Sequence, residues 1–550
     1  MAKSDLGRAF LFLAAIAFSA CDGNGGREDG GDEDPSTDDG VDHADDDGGV
    51  DPDGPVDPQP DDGTESDTPV ETTDRIEQYG IAWVFEAPVP YGQFANGDYW
   101  VLGPVTLTSI TPDFDGEHHG WEVNPSDNSG QGFDVRVADF QASYVPALPY
   151  AAAAGQSIVK SVSIEPLDDA DCGPCLQTAA VLTVLGAVPP DGGATVFRPP
   201  YFGAEKTLYS TTGLRTDLLP SLAPTASAPA LADVEEGFRR VQLDHKENWT
   251  GRAMHPADNL PDYGSSISSR NAEGALRLML DDSIDAKMNA LIYYVQYGID
   301  LYAMMLGGVS WPPNGGHSEG RKLPMAFAAL LLDDQDMKDA VTGAPGDRFG
   351  ETGGMYLSDE AGVVLYGQGV DESMYWENLV FDTGSRTLSD PHGLIDGGHR
   401  PGDSYQFCCL SKPWKSNATA LLLMPELAAL WNCQPFFDYV ERWVSQGAWS
   451  QPDTCAPPDG VCSGGDNAGA PCTSASEPTV CTGTDAFCDL TVSWDANYGV
   501  TYGPDGSGGC IQDTDPSDGT GRFPLLHGTN ADDGYYGSAF ADEMWDAYHP

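Results

Sequence analysis

The chain has 550 residues, of which 40% are hydrophobic and 10% aromatic, with 86 acidic and 26 basic side chains and a formal net charge of −60. That much apolar material supports two or three packed domains. The excess of acid excludes nucleic acid as a partner, because such affinity rests on neutralising phosphates with Lys and Arg.

Residues 1–21, MAKSDLGRAFLFLAAIAFSAC, place Lys3 and Arg8 before an apolar run from Ala9 to Phe18 and small residues before Cys21. This is the layout of an export signal, and its apolar run is too short to span a bilayer permanently. FSAC resembles the lipobox of bacterial lipoproteins, although Phe18 stands where Leu is usual. The resemblance implies that Cys21 becomes the lipid-bearing first residue, so that the protein is exported, anchored to the cell-envelope membrane and exposed at the surface. The other reading is a plain secretory signal followed by a disulfide cysteine.

Residues 22–76 are nearly all Asp, Gly, Pro, Ser and Thr and have almost nothing to bury, which predicts a disordered acidic spacer. Its DxDG-like fragments lack the spacing and terminal Glu of a calcium loop. Beyond Asp74 the chain still holds 64 acids against 23 bases, so the folded part is acidic in its own right.

Over 77–230, short alternating runs such as GIAWVFEAPV, DYWVLGPVTLTSI, SIVKSVSIEPL and LQTAAVLTVLGAV, broken by Gly and Pro, predict an antiparallel β-sandwich. Asn96, His118, His119 and Trp121 fall in its turns, either exposed or bordering a cleft. Cys172 and Cys175 in DCGPC predict a local structural bridge rather than redox chemistry, since Pro174 sits between apparent strands. A Pro- and Ala-rich connection ends this domain near Ala230.

Over 231–550 the period changes. In DAKMNALIYYVQYGIDLYAMML the positions Met288, Leu291, Ile292, Val295, Ile299, Tyr302 and Leu306 recur every three or four residues, a helix with a wide buried face. LPMAFAALLLDD, NATALLLMPELAALW, FFDYVERWVSQ and SAFADEMWDAY read alike. Apolar helices separated by long polar loops predict an α/α toroid-like domain with loops of one rim forming a cleft. A Cys-rich insertion over 455–488 is poor in aliphatics and must be stapled by disulfides. The fold class expected is therefore multidomain α+β.

Three polar loops stand between the helices. WPPNGGHSEGRKLP, residues 311–324, precedes a helix whose first turn accommodates Pro324, so Arg321, Lys322 and the helix N-terminus favour an anion there. Residues 390–415 carry His392, Asp396, His399, Arg400, Asp403, Tyr405 and Trp414; His392 and His399 with Asp396 are of a type to ligate a metal, but their spacing fixes no geometry, no metal ligand is assigned, and calcium or another divalent metal stays open as a cofactor. The third, GRFPLLHGTNADDGYYGSAF, carries Arg522, His527, Asn530, Asp533 and Tyr535.

A β-sandwich joined to a helical toroid whose loops carry Asn, His, Arg and Tyr resembles the exported polysaccharide lyases of heparinase, chondroitinase and alginate lyase type, and the toroidal glycoside hydrolases. The likeness is architectural, matches no long motif, and has the sandwich first where many lyases have it last. It implies cleavage of polysaccharide, by β-elimination if the substrate is a uronate. Asn314 and Arg321 would then neutralise the carboxylate, His317 would be the base, and Tyr297 or Tyr405 the proton donor, with Asp300 orienting His317 or pairing with Arg321 or Lys322. Trp311, Trp414, Asp396, His399, His527 and Asn530 would line the substrate path. A hydrolase would instead need two carboxylates, chosen from Asp300, Glu319, Glu377, Asp396 and Asp403. A third reading is a non-catalytic surface protein that binds glycan or protein; it is favoured if the three loops lie apart.

Overall fold

The computed structural model describes residues 71–357, 362–366, 409–446, 460–472, 477–489, 502–504, 510–512 and 536–549. The signal segment with Cys21 and the acidic spacer up to residue 70 lie outside the described residues.

The β part opens with β1 (Thr72–Gln78) and β2 (Ile81–Gln93), which pair antiparallel through a turn at Tyr79 and Gly80, both at positive φ. They are followed by β3 (Tyr99–Leu102), β4 (Val105–Thr111), β5 (Trp121–Val123), β6 (Tyr150–Ala152), β7 (Gln156–Ser163) and β8 (Leu176–Leu185). Together they form one curled eight-stranded sheet in the order β5-β7-β8-β3-β2-β4-β6, with β1 as a further partner of β2. One pairing, β3 with β8, is parallel, so the sheet is not wholly antiparallel as expected. Strands separated by a long excursion through β4 to β7 are free to run in the same direction.

β2 serves two parts of this sheet. Ala82 to Phe85 lie beside β4, and Tyr91 to Gln93 lie beside β3. Between them Glu86 to Pro88 is exposed, and Pro88 and Pro90 have no N–H to give to a ladder, so the strand turns from one half of the sheet to the other there. The two halves enclose a core that includes Trp83, Phe85, Leu107, Trp121, Ile158, Ala180, Leu182 and Val184.

β8 is buried on both faces. Ala180, Leu182 and Val184 face that first core, while Ala179 and Val181 belong to a larger cluster shared with the helices. The sequence LQTAAVLTVL is thus a nearly continuous apolar run rather than an alternating one.

Twelve helices are present among the described residues. They are α1 (Leu231–Phe238), α2 (Asn248–Met254), α3 (Gly264–Leu278), α4 (Ile284–Leu306), α5 (Lys322–Leu331), α6 (Gln335–Thr342), α7 (Gly350–Gly353), α8 (Ser411–Leu422), α9 (Pro425–Trp431), α10 (Gln434–Gln446), α11 (Glu477–Val480) and α12 (Ala539–Tyr548). α5 is buried over its whole length and packs on α3, α4, α6 and α9, while α3 packs on α4, α5, α8 and α12. Among the described residues no helix is long and apolar enough to cross a membrane. Cys172 and Cys175 form the expected local bridge, and Cys462–Cys481 with Cys472–Cys488 staple the Cys-rich segment around a small three-stranded sheet.

A buried ion-pair cluster ties the sheet to the helices. Arg198 is fully buried and donates from Nε to Asp98 Oδ2 (2.6 Å), in the β2–β3 turn, and from Nη1 to Asp300 Oδ1 (3.2 Å), on α4. Asp300 also accepts from the Tyr201 backbone N–H (3.2 Å). Removing one partner of such a cluster leaves a buried charge uncompensated, at about 3–5 kcal/mol. Asp300→Ala is therefore expected to lower the stability of the chain by that order in a denaturant titration followed by circular dichroism; a loss below about 1 kcal/mol would show the contact to be dispensable.

Candidate functional site

The loop between α4 and α5 is shaped by its own interior contacts. A Cβ on Gly316 would lie 2.4 Å from the Tyr263 hydroxyl and 2.8 Å from Cys409 Cβ, so only glycine allows this approach. Its carbonyl accepts from Ser265 N–H (2.8 Å). The close approach expected to serve a ligand thus serves the loop's own packing against the start of α3.

The anion predicted at the N-terminus of α5 is present, and it belongs to the chain. Glu351, on α7, accepts from the Lys322 N–H (3.0 Å) and the Gly320 N–H (3.3 Å), so a carboxylate of the chain already occupies the dipole end. Pro324 stands in the first turn, as its missing N–H predicts. Arg321 turns inward and makes a bidentate pair with Asp244, Nε to Oδ2 at 2.9 Å and Nη2 to Oδ1 at 2.8 Å. Burial alone would raise the Asp244 carboxyl, but Arg321 and then His255 outweigh it and hold it below the ordinary carboxylate range. The Tyr297 hydroxyl donates to the same Asp244 Oδ2 (2.7 Å), and burial drives its pKa well above the usual phenol. His255 Nε2 lies 3.9 Å from that oxygen, beyond hydrogen-bond reach. Lys322 is buried and donates from Nζ to the Trp431 carbonyl (2.7 Å); burial lowers its pKa to about 8.

These contacts correct the expected roles one by one. Arg321 is engaged by Asp244 and does not face a substrate carboxylate. Tyr297 is sealed in the same cluster and cannot reach a leaving oxygen. Asp300 pairs with Arg198 rather than with His317, Arg321 or Lys322. Trp311 is 1% exposed and stacked on Phe349 at 6.0 Å, a packing residue. Trp414 is fully buried and donates from Nε1 to Glu319 Oε2 (2.7 Å), so it offers no face to a sugar. Glu319 is buried beside Glu351; burial and then that second carboxylate push its pKa well up. Asn314 is on the exposed side of the loop and gives its carbonyl to the His317 N–H (3.2 Å). Tyr405, Asp396, His399, His527 and Asn530 lie outside the described residues.

His317 is the predicted residue that reaches an open site. Its ring is half-buried between the edges of Trp249 (centroids 4.9 Å) and Tyr263 (5.0 Å). Trp249, on α2, is 63% exposed. Arg252, one turn further along α2, holds its guanidinium 4.8 Å from the Trp249 centroid and 5.3 Å from that of Tyr263, and pairs with Asp262 at 2.7 Å. Burial, and then the charge of Arg252, lower the His317 pKa below its ordinary value, so the imidazole is neutral at neutral pH. His317 Nδ1 is buried without a partner among the described residues.

Described ends of the other two polar loops meet this corner. Cys409, within the second loop, stands against Gly316, and Tyr536, within the third, packs on Tyr263 at 5.0 Å. Trp249, Arg252 and Tyr263 escaped the sequence analysis. The signal was the W-x-x-R spacing in NWTGRAM, which puts both side chains on one face of a short helix.

Among the described residues, the one group with the spacing of a metal site is Cys462, Cys472 and Cys481, and their sulfurs are consumed in disulfides. Comparison with protein-family models, with curated proteins and with solved structures finds no match for this chain.

Because the positive charge of Arg252 is one cause of the lowered His317 pKa, Arg252→Met is expected to raise it toward 6.5 in an NMR titration of imidazole-labelled protein. An unchanged midpoint would remove Arg252 from the electrostatics of this corner.

Proposed function

We propose that the protein is an exported surface lipoprotein that binds polysaccharide at the His317 corner and cleaves it by β-elimination where the bound unit is a uronate. The observation that carries this reading is a neutral, half-buried His317 wedged between exposed Trp249 and buried Tyr263 beside Arg252. Trp249 offers a sugar an aromatic surface. Arg252 supplies positive charge for the carboxylate in place of Arg321. The His317 imidazole takes the proton at C5, the C–H electrons become the C4–C5 double bond, the C4–O bond breaks, and the departing oxygen takes a proton from water.

The lipobox-like FSAC segment supports export and lipid anchoring through Cys21. We further read the architecture as a sandwich folded at β2, joined to an incomplete α/α toroid. Its support is the core enclosed between the two halves of the sheet and the gathering of helices around α3 and α5. A hydrolase fits less well, because Glu319 is buried at 1% exposure and Asp300 at 3%. Glycan binding without cleavage is the second reading, favoured by the engagement of Arg321, Tyr297 and Asp300 in interior pairs.

On uronate polysaccharides, His317→Ala is expected to lower the appearance of ultraviolet-absorbing unsaturated ends by about 10²-fold or more. The base must be unprotonated and its pKa is lowered, so the wild-type rate should hold to more acidic pH than an ordinary histidine permits. Trp249→Ala should weaken binding whether or not cleavage occurs. Unsaturated product formed at the wild-type rate by His317→Ala would remove His317 from the mechanism, absence of unsaturated product from the wild type would end the lyase reading, and retained binding by Trp249→Ala would end the corner as a glycan site. Separately, Cys21→Ser should abolish incorporation of radiolabelled fatty acid in an expressing bacterium; labelling that persists would place any lipid elsewhere.

A further inference from the structure

A cleft of about 500 Å³ opens between α1, residues 257–261 and α3, and none of the roles above uses it. Its apolar floor includes Phe238 and Leu260, and its rim includes Glu236, Glu273, Asn259 and Arg270. It adjoins the His317 corner. Tyr263, whose ring touches His317, directly precedes α3, and Arg270 follows it by seven residues, two turns along the same stripe and about 10 Å away by the helix rise. The run from Tyr536 to Ser538 spans both places: Tyr536 packs on Tyr263, and the Ser538 hydroxyl donates to Glu273 Oε1 (2.7 Å).

The chemistry of the rim selects the ligand. Glu236 is held by Arg239 (2.9 Å) and Arg240 (2.8 Å), and Glu273 by Arg270 (2.8 Å), so their charges are balanced while lone pairs remain to accept hydroxyl donors. Asn259 donates from Nδ2 to the Val241 carbonyl (2.6 Å), and its buried Oδ1 has no partner among the described residues. An anionic unit would meet carboxylates here, and an amine would compete with arginines already in place. A neutral polyol with one apolar face matches both floor and rim.

We propose that this cleft is a second sugar subsite, taking an uncharged pyranose unit of the same chain whose charged unit lies at His317. The proposal rests on the reading of that corner as a glycan site. Gly237 gives the test, because a Cβ there would lie 3.5 Å from Leu260 Cδ2 and meet nothing else within 4 Å. Gly237 lines the cleft, so a larger side chain there is expected to reduce the space open to a ligand.

The experiment is calorimetric titration of the purified full chain, with short and long members of a panel of neutral and uronate-containing oligosaccharides. Gly237→Ala and Gly237→Leu are compared with wild type, and circular dichroism is the control for folding. The expected result is a graded loss of affinity for the longer oligosaccharides, at least tenfold for Gly237→Leu, with uronate disaccharides unaffected. Unchanged affinity of Gly237→Leu for every length overturns the subsite and leaves the His317 reading standing. Loss in Gly237→Leu together with full binding by Trp249→Ala keeps the cleft and ends the corner as a glycan site. A wild-type chain that binds no member of the panel ends both.

Discussion

The bidentate pair of Asp244 and Arg321 fixes the part of the molecule on which the proposed function rests. Two opposite charges in a dry interior are stable only when hydrogen bonds satisfy them from several sides. Here Tyr297 supplies a third contact to the carboxylate, and Arg321 Nη1 donates to the Glu319 carbonyl (2.6 Å). The pair therefore joins the segment after α1, helix α4 and the start of α5. With the loop anchored on its inner side, His317 is held half-buried against α2. The rigidity of the corner is a by-product of burying the arginine that sequence alone would have given to a ligand.

The same logic recurs through the fold. A chain with 64 acids against 23 bases beyond its spacer has few cations, and the interior claims many of them. Arg198 neutralises Asp98 and Asp300, Arg136 pairs with Asp134 at 2.8 Å, and Lys322 faces carbonyl and aromatic groups. Even the N-terminus of α5, a natural anion site, is filled by Glu351. Among the described residues, Trp249, Arg252 and His317 stand together on one side of the loop, with Trp249 63% exposed.

Local features were readable from the sequence because they depend on neighbours in the chain. The spacing of Leu291, Ile292, Val295 and Ile299 gave α4, and all four are buried, whereas Leu306 at its end is 64% exposed. The CxxC bridge and the stapling of the Cys-rich segment followed from cysteine spacing and a lack of aliphatics. Long-range pairing was not readable. Arg198 and its two aspartates are separated by about a hundred residues in each direction, and nothing in either stretch marks the match. Burial was the other gap: Trp311 and Trp414 looked like sugar platforms and are core residues, while Trp249, in an unremarked polar stretch, is the exposed one. The position of His317 in a Gly-rich loop was legible, but its companions come from residues 249–263, which fold beside it only in three dimensions.

β8 carries a consequence for how the chain can be divided. Its alternate residues belong to two hydrophobic clusters, one between the halves of the sheet and one shared with Phe197, Tyr201, Ile267 and other residues of the helical side. Cleaving the chain near residue 230 would strip Phe133, Val159, Ala179 and Val181 of their cover and leave an adhesive apolar face on the β fragment. The two parts are therefore not interchangeable cassettes. Truncation and shuffling will yield soluble pieces only where the breakpoint spares that shared layer.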